Sequence, residues 1–88
     1  MTPENAEILA LEGLGWLAGQ DEAIQRFLDL SGIDGADLRA AAGSPGTGIA
    51  VLDFLLGNEE LLVRFCEDAE VKAKDVHMAR HVLGGEAL

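Results

Sequence analysis

The stretch LGWLAGQDEAIQRFLDLSGIDGADLRAAA, residues 14–42, decides the fold, because the chain repeats it as LDFLLGNEELLVRFCEDAEVKAKDVHMAR at residues 52–80. Eight of the 29 positions are identical at this offset of 38 residues, and most of the others keep their chemical character. Positions shared by both copies are the ones that a repeated architecture requires. The repeat therefore predicts two units of similar structure, and it directs the search for function to residues present in one copy alone.

Each copy carries the apolar spacing of short helices. Apolar residues recur three and four positions apart, no segment alternates with period two, and β-branched residues are sparse. Thr2-Pro3 predicts the start of the first helix, because threonine caps free amides and proline fits the first turn. Ile8, Leu11 and Leu14 are expected to share the buried stripe of that helix. The sequence predicts an all-α single compact domain of about six short helices, arranged as two pseudo-symmetric three-helix repeats.

Glycines and capping residues predict where the helices begin and end. Gly19 is expected to end the first helix in the left-handed conformation, and Asp21 to cap the second. Asp34 is expected to cap a short third helix. A fourth helix is predicted from about Thr47 to a stop at Gly57, and two further helices follow it.

The boundaries divide one helical domain, residues 1–88, into repeat one at about 4–42, a glycine-rich linker at 43–48 and repeat two at about 47–85. Open solenoids ordinarily need three or more repeats before stacking buries enough apolar surface. Two copies in a chain of 88 residues therefore predict that the units close on each other.

The composition limits the class of partner and the compartment. Sixteen acidic and six basic residues give a formal net charge of −10, which repels phosphate backbones and anionic lipid headgroups. Cys66 is the single cysteine and forms no internal disulfide, which is typical of a reducing compartment. No apolar run approaches the roughly 20 residues of a membrane span. We expect a cytoplasmic protein with no nucleic acid or membrane partner.

Several short motifs resemble a known family. The motifs are Arg26-Phe27-Leu28, Gly32-Ile33-Asp34, Asp37-Leu38-Arg39, Val51-Leu52-Asp53-Phe54-Leu55 and Leu83-Gly84-Gly85. Together they resemble the small alphaproteobacterial proteins of the domain-of-unknown-function family numbered 3572, from about residue 14 to 85. The chain departs from that pattern at Ala73, where the family tends to have proline, and at the glycine-rich linker. The resemblance implies a bacterial cytosolic helical protein, and it brings no activity, cofactor or catalytic residue.

Two arginines recur in both copies with a glutamate four residues earlier. Glu22 precedes Arg26, and Glu60 precedes Arg64, in the orientation that favours an ion pair along a helix. Because both copies keep the pair, a structural role is the first interpretation. The functional alternative is that the two guanidinium groups grip a carboxylate or a phosphate.

The large rings also fall at equivalent positions, Trp16 with Phe54 and Phe27 with Phe65. Equivalent rings are what a shared core requires, so all four are expected in the core. Cys66 takes the place of an apolar leucine in the other copy. It is therefore expected to face inward, with a raised pKa and little reactivity.

The last helix carries the clearest candidate site. Lys74, His77 and His81 are spaced three and four residues apart, with Arg80 beside them. One interpretation is that these cations favour the carboxyl end of their own helix or pack on acidic neighbours. The other is a partner-binding face tuned by histidine protonation. Two histidines alone lack the third and fourth ligands of a metal site.

The sequence thus predicts no catalytic residue, no cofactor and no metal site, and we expect no enzymatic activity. The features that the copies do not share are the histidine stripe, Gly13 and Gly15, and the linker at 43–48. The favoured hypothesis is a small acidic interaction module that binds a protein partner or forms a homodimer. The alternative is a regulatory protein that responds to a small molecule or a metal through His77 and His81.

Overall fold

A computed structural model describes residues 1–85, apart from the side chain of Pro45. The helices are α1 (Pro3–Ala18), α2 (Asp21–Ser31), a 3-10 turn (Gly35–Asp37), α3 (Leu38–Ala41), α4 (Pro45–Leu56), α5 (Glu59–Ala69) and α6 (Ala73–Leu83). Within these residues there are six α-helices and no strand. The predicted all-α class is confirmed. None of the described helices is both long and apolar enough to cross a membrane.

Helix boundaries recur at the offset of the sequence repeat. α5 begins and ends 38 residues after α2, and α4 ends 38 residues after α1. The third elements differ, because α6 is eleven residues long whereas α3 has four. α6 packs along α1 and α4, and α3 makes no comparable contact with α4. The two-fold relation between the units stays a prediction.

Three helices, α1, α4 and α6, form the centre of the domain, and α2 and α5 pack outside them. The buried core is aliphatic and small apart from two phenylalanines: Ala6, Leu9, Ala10, Leu14, Leu17, Ala23, Phe27, Val51, Leu52, Leu55, Leu61, Leu62, Phe65, Val76 and Ala79. α1 and α4 approach closely where Gly13 lies against Val51, its counterpart in the second copy. A Cβ atom at Gly13 would come within 3.2 Å of Val51 Cγ1.

The four large rings pair across the repeat. Trp16 packs on Phe65 and Phe27 packs on Phe54, each with ring centroids 5.6 Å apart. The 38-residue offset carries one pair onto the other, which supports the predicted two-fold relation. Phe27 and Phe65 are buried as predicted, whereas Trp16 and Phe54 are only half-buried at the edge of the core. Trp16 also reaches solvent, where its Nε1 donates to Asp68 Oδ2 over 2.7 Å.

Three predicted boundaries are wrong. Gly19 is right-handed, with φ −87°, because the chain passes through Gln20 directly into α2 without reversing. Asp21 is the first residue of α2, not its cap, although its charge still favours the helix dipole there. α4 begins at Pro45 rather than Thr47, because proline is suited to the first turn. Half of the predicted linker is therefore helix.

Other predicted caps are confirmed. Thr2 accepts a hydrogen bond from the Asn5 amide, and Asp34 accepts one from the Ala36 amide. α2 ends at Gly32, whose φ of 75° is the left-handed conformation that favours glycine.

Candidate interaction surfaces

The predicted histidine stripe lies on the outer side of α6. Lys74, His77 and His81 are exposed, whereas Arg80 is partly buried. Arg80 Nε donates to Asp53 Oδ1 over 2.6 Å, which ties α6 to α4. At least one of the four residues therefore has a role in the fold. The partner-binding role of the stripe stays a prediction.

The two histidines are one turn apart on an open surface. Among residues 1–85, no group of three or more histidine, cysteine, aspartate or glutamate side chains could hold a metal ion. Because zinc takes three or four protein ligands in most sites, the described residues give the regulatory alternative no support.

Cys66 lies half-buried on α5, facing a shallow apolar hollow between α5 and the start of α6. Burial raises the pKa of the Cys66 thiol above its usual value, and the nearby Asp75 carboxylate raises it further. Both effects disfavour the thiolate, which is the reactive form. The chemistry of this site is therefore that of a protonated, weakly nucleophilic thiol.

Alkylation of Cys66 is expected to be slow at neutral pH. The raised pKa leaves less thiolate than a fully exposed cysteine would have, so the rate should rise with pH to a midpoint above the usual thiol pKa. Iodoacetamide labelling followed by mass spectrometry over a pH series measures that midpoint. An unstructured peptide with one cysteine is the control, and a midpoint at or below that of the peptide would contradict the assignment.

The structure brings the two repeated arginines to one open groove of about 350 Å³, between the first turns of α2 and α5. Arg64 Nη2 pairs with Glu60 Oε1 over 2.5 Å, as predicted. The predicted pair between Glu22 and Arg26 is not among the ion pairs of the described residues. The groove is lined by three carboxylates and two guanidinium groups, from Asp21, Glu22, Glu60, Arg26 and Arg64. This balance of charge does not favour an anion, so the groove is a poor carboxylate or phosphate site.

A surface that the sequence did not predict lies on α1. Ile8 is 54% exposed and Leu11 is 47% exposed, so their predicted burial is wrong. The buried face of α1 instead carries small residues beside its leucines: Ala6, Leu9, Ala10, Gly13, Leu14 and Leu17. Small residues let α4 and α6 approach closely, and that close approach turns the larger Ile8 and Leu11 outward.

We name the outward residues the α1 stripe: Glu4, Ile8, Leu11, Gly15 and Ala18, all of them exposed. Their spacing of four, three, four and three residues is that of the contact seam of a coiled coil. Nothing lies within 4 Å of the position that a Gly15 Cβ would occupy. The α1 stripe is thus an open helix face with two large aliphatic residues at one end and two small residues at the other.

A small cleft adjoins the α1 stripe at Leu11. Its volume is about 80 Å³, and its walls come from α1, the start of α4 and the end of α6. The lining is mostly apolar or small, and Glu7 is its one charged residue: Glu7, Ala10, Leu11, Ala42, Gly43, Ser44, Gly48 and Leu83. The stripe and the cleft therefore form one continuous surface.

The sequence contains a signal for this surface that the helical spacing obscured. α1 has apolar residues around most of its circumference, and a second stripe of Ala6, Ala10 and Gly13 runs along the opposite side. Small residues at such spacing are typical of close helix packing. Weighting them as buried would have placed Ile8 and Leu11 outside.

Comparison with known proteins adds the family. No curated protein and no solved structure matches the chain. The family model described as a protein of unknown function (DUF3572) matches residues 3–86, nearly the whole chain, and the protein therefore belongs to this family.

Proposed function

We propose that the protein is a small, acidic, non-enzymatic module that binds another protein or a second copy of itself. The observation that supports this proposal is the α1 stripe. Ile8 and Leu11 present large aliphatic side chains to solvent at the spacing of a helix-packing seam. The core of the domain is closed without them, so the fold gives no reason for their exposure.

The energy available from this surface suits a modest interaction. Fully burying an isoleucine or leucine contributes about 1.5–3 kcal/mol, and these two are about half exposed, so covering them contributes roughly half of that each. α1 has 16 residues and is about 24 Å long, which is enough for a partner helix to lie along it. Recognition of one helix by the face of another is a common binding mode.

The charge favours the class of partner. A net charge of −10 opposes binding to nucleic acid or to an anionic membrane, so a protein partner is preferred. A single half-buried cysteine suits the reducing cytoplasm, where we expect the module to act.

Photo-crosslinking in the cell of origin tests the proposal. Benzoylphenylalanine is placed at position 11 in the α1 stripe, at position 30 as a control, and at position 77 in the histidine stripe. Leu30 is a matched control because it is aliphatic and 76% exposed but lies on α2. We expect discrete adducts from position 11, either with one partner or as a dimer, and no discrete adduct from position 30.

Sedimentation velocity over a concentration series complements the crosslinking. It separates self-association from binding to another protein. A monomer at high micromolar concentration, together with no discrete adduct from position 11 or 77, would contradict the proposed function.

A further inference from the structure

We propose that the α1 stripe and its adjoining cleft bind a basic amphipathic helix, with aliphatic residues along one face and lysine or arginine beside them. This inference rests on the proposed function and names the chemistry of the partner. We call the combined surface the α1 docking surface: the α1 stripe together with Glu7, Glu12 and the cleft at Leu11.

The apolar part fixes the shape of the occupant. Residues spaced alternately three and four apart on α1 match the same spacing on a second helix, since each side chain fits between residues of the facing helix. Gly15 and Ala18 lack bulk, so the partner backbone can approach closely at that end. Ile8 and Leu11 fill the gaps between partner side chains at the other end. A helix with an aliphatic stripe is therefore the complementary shape.

The cleft gives a second point of recognition. Its apolar walls accept an aliphatic chain, and Glu7 is the only charged group among its lining residues. Lysine and arginine have that combination of an aliphatic stem and a charged end, and they commonly bury the stem while the charge stays in water. A basic side chain entering beside Leu11 can place its stem in the cleft and its charge near Glu7.

The charge of α1 decides between partners. α1 carries three glutamates, Glu4, Glu7 and Glu12, and no lysine or arginine. Glu7 and Glu12 precede and follow the exposed seam residues Ile8 and Leu11, on opposite flanks of the α1 stripe. In packed helices the flanking positions set partner choice by charge. A partner with cations at those positions meets opposite charges on both sides.

A second copy of the chain is a poorer occupant. In a parallel or an antiparallel pair of α1 helices, the flanks would present glutamates without any lysine or arginine opposite them, because α1 has none. Two copies each with a net charge of −10 also repel each other over longer distances. Charge complementarity therefore favours a basic helix over self-association.

Two synthetic peptides test the inference with the full-length protein. Both have about 18 residues, to match the length of α1, and both carry the same leucine stripe. One has lysine at every flanking position and the other has glutamate. Fluorescence anisotropy of the labelled peptides is expected to show the lysine peptide binding at least about tenfold more tightly, and binding more weakly as ionic strength rises.

Variants locate the binding surface. Leu11→Asp adds a negative charge, which by itself would attract the lysine peptide, so a loss of binding can come only from the lost apolar contact. We expect about a tenfold loss or more. Ile8→Asp is the second variant, because Ile8 is more exposed and its replacement disturbs the fold less. The double variant Glu7→Gln/Glu12→Gln is expected to reduce the preference for the lysine peptide.

Leu30→Asp and the double variant Glu59→Gln/Glu67→Gln are the controls, because they make the same chemical changes on α2 and α5. Both are expected to bind like the wild type, and circular dichroism confirms that every variant is folded. The inference is overturned if the two peptides bind equally, if neither binds, or if the controls weaken binding as much as the α1 variants do. Stripe-dependent self-association without peptide binding would overturn the inference and leave the proposed function standing. Absence of peptide binding, self-association and crosslinked adducts would contradict both.

Discussion

Phe65→Ala is expected to destabilise the domain by about 3–5 kcal/mol, the range for removing a buried aromatic ring. Phe65 is completely buried, and its ring packs on Trp16 with centroids 5.6 Å apart. It also lies beside the close contact of α1 and α4, within 3.9 Å of the Cβ position of Gly13. At roughly 0.05–0.15 kcal/mol per residue, a domain of this size has only about 4–13 kcal/mol in total. The loss therefore leaves a marginal or unfolded protein.

Urea unfolding followed by circular dichroism measures this effect. Phe27→Ala is the equivalent change in the first copy and should cost a similar amount, since Phe27 is buried against Phe54 in the same geometry. Phe54→Ala is the matched control, because Phe54 is only half-buried and should cost less. If Phe65→Ala shifts the unfolding midpoint no more than Phe54→Ala does, the assignment of the core is wrong.

Gly13→Val is the second large effect that we expect, a loss of about 1–3 kcal/mol or more from overpacking. The change installs the residue that the second copy has at this position, Val51, so similarity between the copies would suggest tolerance. A Cβ at Gly13 would already lie 3.2 Å from Val51 and 3.3 Å from Leu55. Both neighbours are completely buried, so neither can move aside cheaply.

Gly15→Ala is the control for Gly13→Val and has the opposite expected sign. Gly15 lies two residues further along α1, where a Cβ meets nothing within 4 Å. Alanine there should stabilise the domain by up to about 1 kcal/mol, because glycine is a poor helix former. Thermal melting of both variants gives the comparison. Equal effects at the two glycines would mean that α1 and α4 do not approach as closely as described.

Much of the fold could be predicted because local chemistry determines it. The apolar spacing predicted the helices, and Thr2, Asp34 and Gly32 predicted helix ends through hydrogen bonds and backbone conformation that involve only nearby residues. Repetition then strengthened each prediction, since α2 and α5 have the same length and the same offset as their sequences. These properties need no knowledge of distant contacts.

The predictions that failed depend on contacts distant in sequence. Ile8 and Leu11 were expected inside because they are large and apolar, yet the close approach of α4 and α6 selects the small residues of α1 for the interior. The ion pair between Asp53 and Arg80 joins residues 27 positions apart, and no local pattern indicates it. The pairing of Trp16 with Phe65 likewise follows from how the units meet. The α1 stripe was missed for the same reason.

An NMR titration of the labelled protein with the lysine peptide tests the central claim most directly, because amide shifts report where the peptide binds. The account predicts that the largest shifts fall along the outer face of α1, around Ile8, Leu11 and Gly15, and near Gly48 at the edge of the cleft. Shifts concentrated on α6 around Lys74 and His77, with α1 unchanged, would contradict it.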